Sequence, residues 1–183
     1  MTAVSSGQSP ALQFVEVSAD DPRSMELIGE VQAVYRRLYG GEDDSPMSAD
    51  EFEAPSGTFL LAMDAEGHPI GCVGLRRHEE HVAEIKRMYV RPEYRRQGYA
   101  RALLVAAEDG ARRMGYTAIV LETGQVQPEA MALYVGHGYQ PISGFGHYQC
   151  APGSRSFGRE LSASRPAPPA ASRDRSRCTA HAP

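Results

Sequence analysis

Between residues 83 and 114 the sequence changes its hydrophobic period with almost no spacer, and few folds can accommodate that. Ala83-Glu84-Ile85-Lys86-Arg87-Met88-Tyr89-Val90 alternates well enough to predict a strand. A tight basic loop follows, and from Gly98 to Met114 the apolar residues recur at helical spacing. Strand, loop and helix in that order bring unpaired backbone N–H groups and positive charge to one point, which suits an anion. Gly98 at the helix mouth removes a Cβ from the approach, and Arg95, Arg96 and Arg101 add to the helix dipole. Taken alone, the loop reads equally as a phosphate cradle or as an arginine-rich glycine turn. It is not a Walker A loop, because no Gly-Lys-Ser/Thr follows, and it is not a Gly-x-Gly-x-x-Gly fingerprint.

The flanking sequence supplies further elements. Residues 12–18 alternate as a first strand, and Asp20-Asp21-Pro22 opens a helix that Gly40-Gly41 ends. Residues 42–46 form an acidic loop, and Ser48-x-x-Glu51 resembles the capping box of a short second helix. Residues 57–63 and 69–77 read as a hairpin. The turn at His78-Glu79-Glu80-His81 invites a metal reading, but a solvated hairpin tip explains it better, and no metal is expected. Gly115 closes the central helix. A strand over 118–123, a helix from Pro128 to Gly138, and a strand pair at 139–142 and 157–161 complete the order.

Charge narrows the function class. The net charge is −4, but Arg165, Arg173, Arg175 and Arg177 against Asp174 make residues 162–183 positive by 3 and the remainder negative by 7. An acidic body argues against broad nucleic-acid binding. Ala, Ser, Pro and Arg fill 18 of those last 22 positions, so that segment cannot bury enough apolar surface to fold. It is expected to be a disordered tail, as are residues 1–11, with one domain over 12–161. Cys72, Cys150 and Cys178 lack metal-ligand spacing, no apolar run has the length of a membrane span, and no secretory signal opens the chain. The expectation is a cytoplasmic protein without nucleic-acid or membrane partners.

Val90-x-Pro92-x-x-Arg95-x-x-Gly98-x-Ala100, followed by an apolar helix, resembles the cofactor-loop signature of the GNAT superfamily of N-acetyltransferases. Gln127-Pro128-Glu129-Ala130-Met131-Ala132-Leu133-Tyr134, closing with Gly138-Tyr139, is similar to the second half of that family's pattern. The resemblance implies an α/β fold: a mixed, mostly antiparallel sheet of about six or seven strands, splayed in the middle and flanked by about four helices.

It also implies acetyl-coenzyme A as co-substrate. Arg95, Arg96, Gln97, Gly98, Tyr99 and Ala100 would hold its pyrophosphate, and backbone near Met88 and Val90 its pantetheine arm. The Met88 amide would face the thioester carbonyl. Gln127 stands where many relatives carry Asn. Glu84, six residues before Val90, would be the general base and Tyr134 the general acid. Glu122 or water is the alternative base. By strand alternation, Glu84, Lys86, Met88 and Val90 are expected on one face. Purely structural roles remain open: Glu84 paired with Lys86 or Arg87, and Tyr134 as a core residue. Glu122, His147 and Tyr148 are candidate acceptor contacts. Arg76, Arg77, Lys86 and Arg87 could hold a carboxylate, as in an amino acid.

The expected function is acetyl transfer to the amine of a small molecule by direct attack in a ternary complex. A protein or peptide acceptor, or a non-catalytic acyl-coenzyme A sensor, is the alternative. A homodimer is left open.

Overall fold

The computed structural model describes residues 12–161; the segments 1–11 and 162–183, expected to be disordered, lie outside the described residues. Seven strands make one sheet: β1 (Gln13–Val17), β2 (Thr58–Met63), β3 (Pro69–Glu79), β4 (Val82–Val90), β5 (Ala118–Gly124), β6 (Gln140–Ile142) and β7 (Ser154–Glu160). Their order across it is β1-β2-β3-β4-β5-β7-β6. Neighbours are antiparallel except β4 and β5, which run parallel because a helix crosses between them.

Three α-helices cover the sheet: α1 (Pro22–Tyr39), α2 (Tyr99–Arg113) and α3 (Pro128–Gly136). The Asp21 carboxylate caps α1 by accepting from the Arg23 N–H at 2.9 Å. Both α2 and α3 end in Schellman closures. Tyr116 N–H donates to the Ala111 carbonyl, and Tyr139 N–H to that of Tyr134, each at 3.0 Å. The glycines between, Gly115 and Gly138, take φ of 86° and 87°. The expected fourth helix is a single 3-10 turn, Ala49–Phe52. Ser48 N–H does donate to the Glu51 carboxylate at 2.9 Å. Pro55 disfavours helix at Ala54, so the turn does not propagate.

Both faces of the sheet are covered. Leu103, Leu104, Ala107 and Ala111 of α2 pack on Val73, Leu75 and Ile85. On the opposite face Leu27, Ile28 and Val31 of α1, with Phe52, pack on Phe59, Leu61 and Met63. This double burial is why β2 reads as an unbroken apolar run rather than alternating. Each fully buried leucine contributes about 1.5–3 kcal/mol.

A bulge in β4 overturns the expected shared face. Cys72 pairs with Tyr89 and Gly74 with Lys86, so the single residue Val73 lies opposite two, Arg87 and Met88. Arg87 takes a φ of 52°, in the left-handed region that a side chain disfavours. Before the bulge, Ala83 and Ile85 belong to the α2-side core, and Glu84 turns the other way, towards Arg76 and Lys86. After it, Met88 and Val90 have moved to the α2 side and Tyr89 to the α1 side. Glu84 and Met88 are therefore on opposite faces, because one inserted residue inverts a period-two pattern.

Candidate functional site

The strands β4 and β5 pair only as far as Ile85 with Leu121, although β4 continues to Val90 and β5 to Gly124. A cleft of about 380 Å³ opens where they part. Ile85, Lys86, Arg87 and Met88 line it from β4, and Glu122, Thr123 and Gly124 from β5. Gln127, Ala130 and Tyr134 line it from α3 and its approach, Tyr35 and Tyr39 from the end of α1. The acidic loop contributes Glu42, Asp43 and Asp44, and the β6–β7 connection contributes Tyr148.

Tyr134 is 7% exposed, and its hydroxyl lies 3.8 Å from the Met88 sulfur. The Schellman closure holds its carbonyl, and its ring packs near Tyr139 and Phe157 at 5.8 and 6.2 Å. Burial pushes the phenol up to about 12, so it stays protonated throughout the neutral range. Glu122 lies half-buried across the cleft, with the Ser154 hydroxyl 3.5 Å from Oε1. Its carboxyl is raised from the ordinary value because burial disfavours the charge; Lys86 pulls against that shift.

Glu84 lies outside the cleft lining. Its Oε2 accepts from Arg76 Nε at 2.8 Å and its Oε1 is 3.3 Å from Lys86 Nζ. Arg76 also reaches the Glu51 carboxylate at 3.1 Å. Both Glu84 oxygens are thus committed to cations, half-buried Arg76 and buried Lys86.

The β6–β7 connection folds back onto the acidic loop. The Tyr148 hydroxyl bonds the carboxylates of Asp43 and Asp44 at 2.9 and 2.7 Å. His147 lies outside the lining, with Nε2 3.1 Å from Asp44. The Tyr148 and His147 hydrogen bonds, in that order, hold the Asp44 carboxyl below its usual value. Gln127 Nε2 donates to the Tyr39 hydroxyl at 2.6 Å, closing α1 over the mouth. Gly124 permits this, since a Cβ there would stand 1.9 Å from the Tyr39 hydroxyl oxygen.

The basic loop follows the C-terminal end of β4, outside the cleft lining. Arg95 Nε donates to the Val90 carbonyl at 3.0 Å, and its guanidinium sits 5.7 Å from the Tyr89 ring centroid. Gln97 Nε2 donates to the Glu93 carbonyl at 3.2 Å. Arg96 is left-handed, with a φ of 61°. The first turn of α2, with Tyr99 and Ala100, has no side-chain cap and no acidic residue, and Gly98 before it takes a φ of 87°. Those N–H groups are available to an anion.

The structure therefore gathers Met88, Glu122, Gln127, Tyr134 and Tyr148 around one cleft, with Val90 and residues 95–100 continuing from it along β4. Sequence reading missed Tyr35 and Tyr39 as walls and the acidic pair Asp43–Asp44 as the partner of Tyr148. The available signal was two tyrosines four apart, hence on one helix face, just before an acidic run. Among the described residues, no group of three or more His, Cys, Asp or Glu could hold a metal ion. Nor is any helix there long and apolar enough to cross a membrane.

The model of the acetyltransferase (GNAT) family matches residues 28–139. The chain is 34% identical to an IAA acetyltransferase of Azospirillum brasilense over 68% of its own length and 81% of that protein. It is similar to a solved Klebsiella pneumoniae structure assigned as an acyl-CoA N-acyltransferase, with a TM-score of 0.71 and 29% identity over 82% of this chain and 97% of the other. A GNAT family acetyltransferase from Elizabethkingia anophelis, solved with acetyl-CoA bound, shares the fold at a TM-score of 0.60 and 18% identity, covering 82% and 98%.

Proposed function

The chain belongs to the GNAT family of acetyltransferases, and on that premise we propose that it acetylates the amine of a small molecule by direct attack in a ternary complex. The observation that carries this reading is the parted β4–β5 pair with Glu122 and Tyr134 both lining the gap.

The residues present fit acetyl-coenzyme A. The uncapped, acid-free start of α2 offers backbone N–H groups to a pyrophosphate, helped by the charge of Arg96 and Arg101. Arg95 acts by pinning that loop to β4. The unpaired edge of β4 around Met88 and Val90 offers backbone groups to the pantetheine amides, and Gln127 flanks the same gap. The co-substrate would supply an activated acyl carbon: the nitrogen bonds to it and the carbon–sulfur bond breaks, while the incoming ammonium loses two protons, one ending on sulfur and one reaching solvent.

The protein's own groups manage charge and protons. Glu122, rather than Glu84, is assigned to take a proton from the incoming ammonium, because it borders the cleft and burial raises its basicity. Glu84 instead holds Lys86 and Arg76 in place. The Met88 amide is assigned to the developing oxyanion, and Tyr134 Oη holds the proton that the departing sulfur needs. A small acceptor, rather than a peptide, is supported by the β6–β7 connection, which Tyr148 ties across the acceptor side.

Incubation with acetyl-coenzyme A and a panel of amino acids, monoamines, polyamines and short peptides should release free thiol with at least one small amine. Cofactor binding without thiol release across that panel would sink the reading. The loop carries a second expectation. Gly98→Ala meets no neighbouring atom within 4 Å, so its cost is the left-handed backbone alone. If the alanine loop relaxes out of that conformation in the free protein, binding must restore it, and that cost of about 1–2 kcal/mol should raise the acetyl-coenzyme A Kd roughly five- to thirtyfold. Calorimetric titration checks it, and an unchanged Kd would remove Gly98 from the cofactor site.

A further inference from the structure

The acceptor side of the cleft has a charge pattern that selects among amines. Four carboxylates line it, Glu42, Asp43, Asp44 and Glu122, with the cations Lys86 and Arg87; Glu42 is paired with Arg36 and Asp43 with Arg87, which leaves Asp44 and Glu122 without an arginine or lysine partner. A substrate carboxylate needs a cation that is free to meet it. Lys86 is not free, since its ammonium lies 3.3 Å from Glu84 and its side chain is 9% exposed. Arg87 is not free either. Its guanidinium is paired with Asp43 through Nη1, and the side chain is 3% exposed. Its Nε lacks a partner but is sealed from solvent, so an entering ligand cannot reach it without displacing protein. Among the described residues lining the cleft, no cation lacks an internal carboxylate.

The acids are placed differently. Asp44 meets only the Tyr148 hydroxyl and the His147 ring, and Glu122 meets only the Ser154 hydroxyl at hydrogen-bond range. Both line the cleft an acceptor would enter; Asp44 is 78% exposed and screened by water, so half-buried Glu122 is the stronger attractor of an ammonium and the stronger repeller of a carboxylate. The remaining walls are aromatic or apolar. Tyr35 and Tyr39 stand 6.0 Å apart, and Tyr134, Met88 and Ala130 lie opposite. Aromatic faces favour a cation and an uncharged body, and give nothing to a second anion.

We infer that the acceptor is an amine without a carboxylate, not an amino acid. This rests on the acetyl-transfer reading and adds to it the charge class of the substrate. The bulge at Arg87 is the structural cause: it turns the arginine onto the α1 side, where Asp43 neutralises it.

The test compares compounds that differ by one carboxylate: phenethylamine with phenylalanine, tyramine with tyrosine, and putrescine with ornithine. Thiol release should show kcat/KM for the amine above that of its amino acid by about tenfold or more in at least one pair. Calorimetric titration into protein saturated with coenzyme A should rank the two the same way without turnover. Asp43→Asn frees the Arg87 guanidinium and should narrow the gap, raising amino-acid use relative to the amine. If that variant fails to fold, the wild-type pairs still decide. Equal or higher turnover of the amino acids overturns this inference while leaving acetyl transfer standing. Thiol release from no compound, with cofactor still bound, overturns both.

Discussion

Glu122→Gln should lower kcat/KM by about a hundredfold to a thousandfold at neutral pH, the range expected for losing a positioned general base. The substitution keeps size and hydrogen-bonding capacity and removes only the ability to accept a proton, so the fold should be unaffected. The pH profile separates this role from mere substrate attraction. Burial raises the Glu122 carboxyl from its ordinary value. Below that raised pKa the group is protonated and cannot act; above it the carboxylate is available. The wild-type rate should therefore climb with pH through a limb displaced upward from ordinary carboxylates, and that limb should vanish in the variant. If Glu122→Gln retains the limb, Glu122 is not the proton acceptor. A parallel Glu84→Gln variant that loses the limb would return the role to Glu84.

Tyr134→Phe should lower kcat by roughly tenfold to a thousandfold with the acetyl-coenzyme A Kd within about twofold of wild type. The variant keeps the ring that packs near Tyr139 and Phe157 and loses only the hydroxyl beside the Met88 sulfur. Because burial holds the phenol protonated up to about pH 12, Tyr134 should contribute no alkaline limb in the working range. The loss should instead be close to pH-independent between neutrality and pH 10. Full activity across that range, with cofactor affinity intact, would make the tyrosine a core residue and no more.

Much of the fold was legible because its signals are local. Asp21 and Pro22 start α1 in the structure as in the sequence, and Gly115 and Gly138 close α2 and α3 with the backbone angles that glycine permits. The apolar period identified α2 without reference to the rest of the chain. The misreading at Ser48 came from the same kind of signal: a capping box marks a start but carries no information about length, and one 3-10 turn satisfies it.

The site was less legible, since its walls come from distant segments. Tyr148 meets Asp43 across a separation of 105 residues, and Gln127 meets Tyr39 across 88. Neither pair has a pattern that a sequence window can contain. The shared face expected for Glu84 and Met88 failed for a different reason. Strand alternation assumes that every residue advances the pleat by one, and the extra residue at Arg87 breaks that count.

The sequence by itself thus determined the strand–loop–helix at residues 83–114, the basic, glycine-containing loop within it, and the helix that carries Tyr134. Each depends on interactions within a few residues. Only the tertiary structure decided which carboxylate borders the cleft, which of its cations are already neutralised, and how the β6–β7 connection closes onto the acidic loop. Those outcomes depend on register and on contacts between remote segments. One inserted residue in β4 moved Met88 to the face opposite Glu84 and left Glu122 at the cleft.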